Sequence, residues 1–323
     1  MSGSTGLMTG NFNSTNGKDH LVYGYILPQD GPVRGIVQIS HGMAEHFGRY
    51  TDFARYLAGE GIAVYGHDHL GHGLSADTDR DLGYFGETGP DVLVEDLHEM
   101  TRIIKSAHPG VPLFLFGHSM GSLVARAYIA RYGQQIDGVV LSGSPYKNPA
   151  ASLGIFLAQT LAKLKGKRHR SPILERLAFG SYNKRIKNVI SPHDWLSRDR
   201  DMVARYDQDP LCGFNFTLWG YRDLFTLLRQ VSAKSWTEGI RTDLPVLLLS
   251  GDGDPVGGYG KVLPFLEHAL LDHGLTDVTV QCYPGGRHEM LNETNRAQVY
   301  ADILHWLKER LPTPQNAPVE ETP

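Results

Sequence analysis

The segment LFLFGHSMGSLVARAYIARY, residues 113–132, decides the fold of this 323-residue chain. Its first four residues are apolar and predict a short buried strand, and 119–132 predicts a helix. Between them stands Gly117-His118-Ser119-Met120-Gly121, a G-x-S-x-G pattern. A nucleophilic serine on so tight a turn needs neighbours without a Cβ, and the first helical turn offers unpaired N–H groups to an oxyanion. The segment therefore predicts an elbow that presents Ser119 as a nucleophile, with a chance match in a glycine-rich turn as the alternative.

Strand and helix signals alternate on both sides of this segment. Short apolar runs predict strands, and apolar residues at three- and four-residue spacing predict helices. Such alternation is typical of an α/β fold, a mostly parallel central sheet covered by helices on both faces. The predicted strands are 33–40, 61–65, 113–116, 137–141, 245–250 and 278–283, and the predicted helices are 49–60, 90–107, 119–132 and 295–311.

The alternation stops between 146 and 235. Within that stretch 151–164 and 216–231 have helical periodicity, and no strand is convincing. We interpret 146–235 as a helical cap, or lid, inserted between two strands of a core formed by 19–145 and 236–311.

Both ends of the chain carry little apolar material. Residues 1–18 are rich in Gly, Ser, Thr and Asn, and 312–323 are rich in proline and acidic residues. They predict a flexible N-terminus and a disordered tail. The N-terminal stretch lacks the pattern of a signal peptide, and no run of about 18 apolar residues predicts a membrane-spanning helix.

The charge and the cysteines narrow the class of protein. Lysine plus arginine number 31 and aspartate plus glutamate 35, a formal charge of −4. Nucleic-acid binding usually needs a strongly basic face, so no nucleic-acid partner is expected. Cys212 and Cys282 form neither a CxxC unit nor a disulfide framework, which favours a reducing compartment and predicts a cytoplasmic protein. Composition leaves the oligomeric state open.

The chain supplies partners for Ser119 in the order serine, acid, histidine. Strand 245–250 is followed by Gly251-Asp252-Gly253-Asp254, and strand 278–283 is followed by a loop that contains His288. Ligand sites of open α/β sheets lie just beyond the carboxyl ends of strands. We expect His288 to act as general base and then general acid, oriented by an aspartate. Spacing alone leaves Asp252 and Asp254 as alternatives for that aspartate.

An oxyanion hole needs a second N–H donor from the loop after an early strand. The loop that contains His41, Gly42 and Met43 follows the predicted strand 33–40 and fits that place. The expected donors are the backbone N–H groups of Met43 and Met120. A simple turn at His41-Gly42 is the alternative.

Four motifs together resemble a known family. They are HGMAEHFGRY at 41–50, HDHLGHGLS at 67–75, GHSMG at 117–121 and GDGD at 251–254. They resemble the monoacylglycerol lipases and lysophospholipase-like serine hydrolases of the α/β-hydrolase superfamily. The glycine-rich segment 255–260 is more similar to bacterial members than to animal ones.

The resemblance implies an α/β-hydrolase core, a helical cap, a Ser-Asp-His triad and no cofactor. In that family the acid lies three residues after the glycine that ends the strand, which maps from Gly251 onto Asp254. The family's oxyanion donors map onto Met43 and Met120. The resemblance thus implies Ser119, Asp254 and His288 as the triad.

A second cluster of ligand-type residues, His67-Asp68-His69-Leu70-Gly71-His72, invites a metal interpretation. It resembles the H-x-H-x-D-H motif of zinc hydrolases, but glycine stands at position 71 where that motif has aspartate. We predict no metal there and a structural role for the loop. His118, beside Ser119, either lines the pocket or simply packs.

These observations predict a serine hydrolase that cleaves carboxylic esters through an acyl-enzyme, acting on monoacylglycerol or similar single-chain lipids. Alternatives are a lysophospholipase, an aminopeptidase of the same fold, and a non-catalytic binder. An aminopeptidase needs an acidic group to hold the substrate amine. The cap offers Glu175, Asp194, Asp199, Asp201, Asp207, Asp209 and Asp223. Dehalogenase chemistry is disfavoured because the elbow carries Ser119 rather than aspartate.

The segment 151–164 has two interpretations, an apolar stripe that packs on the core and a face that contacts lipid. Its larger apolar residues recur at helical spacing, and a basic run follows directly. That combination is typical of a helix resting on an anionic lipid surface, and the alternative is a stripe that packs on the core. The apolar residues are Leu153, Phe156, Leu157, Leu161 and Leu164, and the basic residues are Lys163, Lys165, Lys167, Arg168 and Arg170.

Overall fold

The computed structural model describes residues 6–148 and 150–312. In that part of the chain eight strands form one sheet in the order β1-β2-β4-β3-β5-β6-β7-β8. The β1–β2 and β2–β4 pairs are antiparallel and all other pairs are parallel. The strands are β1 Met8–Asn13, β2 His20–Ile26, β3 Gly35–Ser40, β4 Ile62–His67, β5 Leu113–His118, β6 Gly138–Ser142, β7 Val246–Gly251 and β8 Val278–Tyr283.

Helices cover both faces of this sheet. One apolar cluster joins the sheet to α2, α3 and α8, and a second joins its other face to α1 and α9. Strands β3, β4, β5, β6 and β7 are buried at every position, as a sheet covered on both sides requires. The predicted α/β fold is confirmed. The helices are α1 Thr51–Gly59, α2 Asp91–Ala107, α3 Met120–Tyr132, α4 Ala151–Lys165, α5 Pro172–Phe179, α6 Arg200–Gln208, α7 Leu218–Gln230, α8 Val262–His273 and α9 Arg296–Lys308.

The N-terminus differs from the flexible segment predicted over 1–18. Strand β1 pairs with β2 along its whole length, from Met8 opposite Tyr25 to Asn13 opposite His20. Only Phe12 of this strand is buried, so the apolar residues of the sequence did not indicate a strand here. Backbone pairing at the sheet edge orders the segment instead. Residues 1–5 and 313–323, most of the predicted tail, lie outside the described residues.

Between β6 and β7 the chain forms the four helices α4 to α7 and, in its described residues, no strand. Helix α4 packs lengthwise on α7, and Gly154 lets the ring of Phe225 approach. Helices α5 and α6 fall where the sequence suggested irregular structure. Helix α6 begins at an N-cap, Asp199, whose carboxylate accepts hydrogen bonds from the N–H groups of Asp201 and Met202. No described helix is long and apolar enough to cross a bilayer.

Only part of the predicted stripe on α4 packs, since Leu157 and Leu161 are half-buried against the core. Small residues and one isoleucine, at Ala151, Ile155, Ala158 and Ala162, are buried. The larger apolar residues Leu153, Phe156 and Leu164 are exposed, which removes the alternative of core packing for these three.

Candidate active site

Ser119 stands on the turn between β5 and α3, with φ 52° and ψ −118°. This left-handed backbone conformation is strained for any residue with a Cβ. The surrounding structure fixes it, because the Ser119 N–H donates to the Ser142 carbonyl at 3.0 Å and the Ser119 carbonyl accepts from the Ser122 hydroxyl at 2.6 Å. These contacts hold Ser119 on a tight turn just beyond the carboxyl end of β5.

The two glycines of the elbow permit close backbone approach. A Cβ on Gly121 would lie 2.0 Å from the Ser40 carbonyl oxygen, at the end of β3. A Cβ on Gly117 would lie 2.7 Å from the Gly121 carbonyl oxygen. Larger residues at either position would push α3 away from the sheet.

His288 lies within hydrogen-bond distance of both Ser119 and Asp254. Its Nε2 is 2.8 Å from the Ser119 hydroxyl, and its Nδ1 is 3.1 Å from each carboxylate oxygen of Asp254. Both Asp254 and His288 are buried. A loop of the cap covers the imidazole, since the Trp195 ring centroid is 5.0 Å from that of His288. The three residues that the resemblance named therefore meet in one chain of contacts.

Asp252, the alternative acid, lies away from His288. Its carboxylate is exposed and accepts from the Gly285 N–H at 2.6 Å. Asp254 accepts from the Val256 N–H at 2.8 Å, which leaves its carboxylate facing the imidazole. The structure brings Asp254 to His288 and uses Asp252 to hold the neighbouring turn.

Burial and charge act in opposite directions on His288. Burial alone lowers the pKa of this imidazole, but the charge and hydrogen bond of Asp254, with smaller contributions from Glu289 and Glu45, outweigh burial, so that the pKa is raised above 6.5. The buried carboxylate thus favours the imidazolium that forms when a histidine takes a proton from serine.

The two expected oxyanion donors flank Ser119. Met43 and Met120 line the same cavity as the serine. The Met120 N–H opens α3 and has no partner inside the helix. The neighbouring Gly42 N–H is already engaged by a Glu45 carboxylate oxygen at 2.6 Å. This bond fixes the loop just before Met43, where the chain turns through Ala44 at φ 52°.

A buried ion network supports this loop and was not predicted from the sequence. Arg49 pairs with Glu45 and also with Glu289, the residue after His288. Burial tends to raise the pKa of Glu45, but Arg49, with smaller contributions from His118, His41 and Tyr50, outweighs it and lowers the pKa to about 2. The i, i+4 spacing of Glu45 and Arg49 was a usable signal, whereas Glu289 is 240 residues away. The network joins the loop of the proposed oxyanion donor to the loop of His288.

The histidine-rich loop packs behind the site. The Asp68 carboxylate accepts from the N–H groups of Phe47 and Leu74, at 2.8 and 2.7 Å, and the His69 N–H donates to His41. Among the described residues, the ligand atoms of this loop form no group of three close enough to share an ion. These contacts support the structural role predicted for the loop.

His118 is buried at the wall of the cavity, and its ring centroid is 4.8 Å from that of His288. Burial lowers the pKa of His118 to about 4, so this imidazole is neutral at pH 7. It both packs and lines the pocket.

Ser119 and His288 open into a cavity of about 900 Å³ beneath the cap. Its walls are mostly apolar, as is usual for small-molecule sites. The apolar lining comes largely from the cap and α3, and includes Leu123, Leu177, Phe179, Trp195, Phe214, Leu224, Phe225 and Leu228.

Comparison with known families agrees with this geometry. The family model described as serine aminopeptidase, S33 matches residues 31–295, most of the chain. The chain belongs to this family. The S33 assignment and the fold confirm the α/β-hydrolase resemblance predicted from the four motifs.

Proteins similar to this chain include lipases and a carboxyl esterase. A monoacylglycerol lipase of Mycolicibacterium smegmatis is 32% identical over 90% of this chain and 94% of its own length. The human monoglyceride lipase is 28% identical over 88% of this chain and 85% of its own. A crystal structure of a carboxyl esterase from Bacillus coagulans covers 95% of this chain and 99% of its own, with 30% identity and a TM-score of 0.88. This S33 protein is a carboxylic ester hydrolase.

Proposed function

We propose that this protein is a monoacylglycerol lipase, in which Ser119, His288 and Asp254 cleave the ester of a single-chain lipid. The observation that carries the proposal is the contact chain from Ser119 through His288 to Asp254, which opens into a large apolar cavity. Relatives that are monoacylglycerol lipases support the choice of substrate.

The acylation step follows from the distances. His288 Nε2 removes the proton from the Ser119 hydroxyl as the oxygen attacks the ester carbonyl. The negative charge that forms on the carbonyl oxygen is stabilised by the N–H groups of Met43 and Met120. Asp254 holds the imidazolium, which then protonates the departing alcohol and leaves an acyl group on Ser119.

The deacylation step uses the same groups with water as the nucleophile. Neutral His288 takes a proton from water, which attacks the acyl carbonyl. The imidazolium then returns that proton to the Ser119 oxygen as the fatty acid leaves.

The acidic side chains near Ser119 are paired with a cation, which favours a substrate whose alcohol part is uncharged. Glu45 and Glu289, the two acids of the lining whose charges act on His288, are both paired with Arg49. Glu175 and Arg176 also line the cavity, but they lie on the exposed part of α5. A glycerol group matches such a site better than the phosphate of a lysophospholipid or the amine of a peptide.

An exposed apolar face on the cap supports entry from a lipid surface. Ile173 and Leu177 of α5 both line the cavity, yet each is 65% exposed. Leu153 and Phe156 of α4 are exposed as well. Part of the predicted basic run is engaged by the core, since Lys167 pairs with Glu87. We therefore assign the lipid contact to the apolar residues of this face, with peripheral rather than spanning attachment.

A hydrolysis profile tests the proposed function. The substrates are monoacylglycerols of increasing chain length, a lysophospholipid and an aminoacyl amide, and the control is Ser119→Ala. We expect monoacylglycerol to have the highest kcat/KM, the control to be inactive, and a fluorophosphonate probe to label wild type but not the control. Preference for the amide would assign an aminopeptidase, and labelling of Ser119→Ala would place the nucleophile elsewhere.

A further inference from the structure

Three potential metal ligands of different kinds meet where the cap contacts the core. His46, Asp209 and Cys212 each offer one ligand atom, and these atoms all lie within 4.8 Å of one another. His46 Nε2 and the Asp209 carboxylate already form a hydrogen bond of 2.9 Å. None of the three residues belongs to the Ser119–His288–Asp254 contacts, so the cluster has no part in the proposed ester cleavage.

Hydrogen bonds on the core side and on the cap side hold the residues of this cluster in place. His46 belongs to the loop after β3 that carries Met43, and the Ala44 carbonyl in that loop accepts from Tyr206 and from Gly213 of the cap. On the cap side, Asp209 organises its own turn by accepting from the Leu211 N–H at 2.9 Å. The ligand atoms are therefore held near each other before any ion binds.

The three side chains of the cluster differ in their exposure to solvent. The side chains of His46 and Asp209 are 17% and 29% exposed, whereas Cys212 is buried against Tyr206 and Leu196. An ion thus has an entry path from solvent and meets the sulfur at the inner end. Imidazole, carboxylate and thiolate together are the donor set that zinc prefers, whereas calcium and magnesium require mainly oxygen ligands.

We propose that His46, Asp209 and Cys212 form a binding site for a zinc-like divalent cation that joins the cap to the core. Three protein ligands leave one position of a tetrahedral ion for water. The Cys212 thiol gives its proton to solvent, and the thiolate and the Asp209 carboxylate then balance the two charges of the ion. The ion replaces the direct hydrogen bond between His46 and Asp209, and the two atoms separate to about 3.3 Å.

Bound metal would tie the cap to the loop that carries Met43. An ion that binds the folded but not the unfolded chain stabilises the fold by mass action. At a free concentration 100-fold above its Kd, we expect zinc to raise the melting temperature by about 5 °C.

Cobalt titration of the full chain tests the proposal, because a thiolate ligand gives Co²⁺ a characteristic charge-transfer absorption. The variants are Cys212→Ser and His46→Gln, and the matched control is Cys282→Ser, which alters the exposed second cysteine. We expect one cobalt per chain with the thiolate band in wild type and control, and loss of the band in Cys212→Ser. His46→Gln should weaken cobalt binding at least tenfold.

Melting temperatures in a chelator establish that each variant is folded before titration. Zinc should raise the melting temperature of wild type and Cys282→Ser but not of Cys212→Ser. Absence of the thiolate band in wild type would leave His46 and Asp209 as a hydrogen-bonded pair only and overturn the proposal. A band that persists in Cys212→Ser, or disappears in Cys282→Ser, would place the metal elsewhere and overturn it as well.

Discussion

The Glu289 carboxylate accepts two hydrogen bonds from the Arg49 guanidinium, at 2.6 and 2.7 Å. Glu289 follows His288 directly, and Arg49 also pairs with Glu45, which holds the Gly42 N–H. One guanidinium thereby connects the histidine loop with the loop of the proposed oxyanion donor. Two buried carboxylates share this one arginine, so neither has a cation of its own.

Replacing Arg49 by methionine is expected to reduce the free energy of unfolding by about 3–5 kcal/mol. The variant keeps the length of the side chain but leaves Glu45 and Glu289 buried without their cation. Urea denaturation measures the effect. The control is Arg55→Met, which removes a largely exposed pair with Asp52 and should change stability by less than about 1 kcal/mol. Equal stability of the two variants would contradict a special role for the buried network.

Asp254→Asn is expected to lower kcat on a short soluble ester by about 10⁴-fold, whereas Asp252→Asn should retain activity within tenfold. The reason is that Asp254 faces His288 Nδ1 while Asp252 binds the Gly285 N–H. If the proposed triad acts as a unit, Ser119→Ala combined with His288→Ala should cost little more than either change alone. Steady-state kinetics on folded protein decides the matter, and a severe defect in Asp252→Asn with a mild one in Asp254→Asn would reverse the assignment.

The fold and the proposed triad were accessible from sequence because each signal is local. Ser119 and His288 each follow an apolar strand, and parallel strands bring their carboxyl ends to one edge. The choice between Asp254 and Asp252 needed the family resemblance, since spacing permitted both. The contact of Glu289 with Arg49 joins residues 240 apart and has no local signature.

Helix α4 shows why the packing face was harder to predict. The larger apolar residues such as Leu153 and Phe156 dominate the periodicity, yet the buried face is lined by Ala158 and Ala162. Close approach of α7, with Phe225 against Gly154, selects small residues at the contact. A prediction from hydrophobicity alone places the larger apolar residues in the core. It takes no account of how closely the partner helix approaches.

Acid is expected to destabilise the protein through its buried histidines. Burial, with a smaller contribution from His41, lowers the pKa of His67 to about 3, and both ring nitrogens lack a hydrogen-bond partner in the described structure. The unfolded chain binds the proton near pH 6.5 while the folded chain does not, so stability is complete above pH 6.5 and falls as the pH drops below it. Between pH 7.5 and 5, His67 alone should account for a loss of about 2 kcal/mol.

His67→Leu tests directly whether His67 makes the protein less stable as the pH falls. The variant removes the titrating group and retains a buried side chain of similar volume. Its free energy of unfolding, measured by urea at several pH values, should decline less between pH 7.5 and 5 than that of wild type. An unchanged pH slope would show that His67 does not contribute to acid sensitivity.

Gly121→Ala is expected to destabilise the protein by about 2–3 kcal/mol and to abolish most ester hydrolysis, because the added methyl group would collide with the Ser40 carbonyl. Gly133 supplies a matched control just beyond α3. Its φ of −56° suits alanine, and a Cβ there would be 4.0 Å from Leu244. Gly133→Ala should therefore gain about 0.5 kcal/mol with unchanged activity. Thermal melts and ester kinetics of both variants distinguish an effect of close packing at Gly121 from a general sensitivity to glycine-to-alanine substitution.

The exposed face of α4 permits a sharp test of the lipid contact. Leu153 and Phe156 are 57% and 62% exposed and do not line the cavity, so their loss should disturb neither the core nor the proposed catalytic residues. Ile155, between them in sequence, is buried toward α7. The helix thus offers substitutions of the same chemistry on opposite faces.

The double variant Leu153→Ser/Phe156→Ser should melt within about 2 °C of wild type and hydrolyse a short soluble ester at the normal rate. Its activity on monoacylglycerol in anionic vesicles should fall about tenfold, because two apolar side chains no longer enter the lipid interface. Ile155→Ser should instead lower the melting temperature and reduce activity on both substrates, since a serine would replace a buried side chain. Vesicle sedimentation, measured beside the two assays, separates weaker lipid binding from slower chemistry. If the double variant lost activity equally on soluble ester and vesicles, the exposed face would be serving the fold rather than the lipid surface.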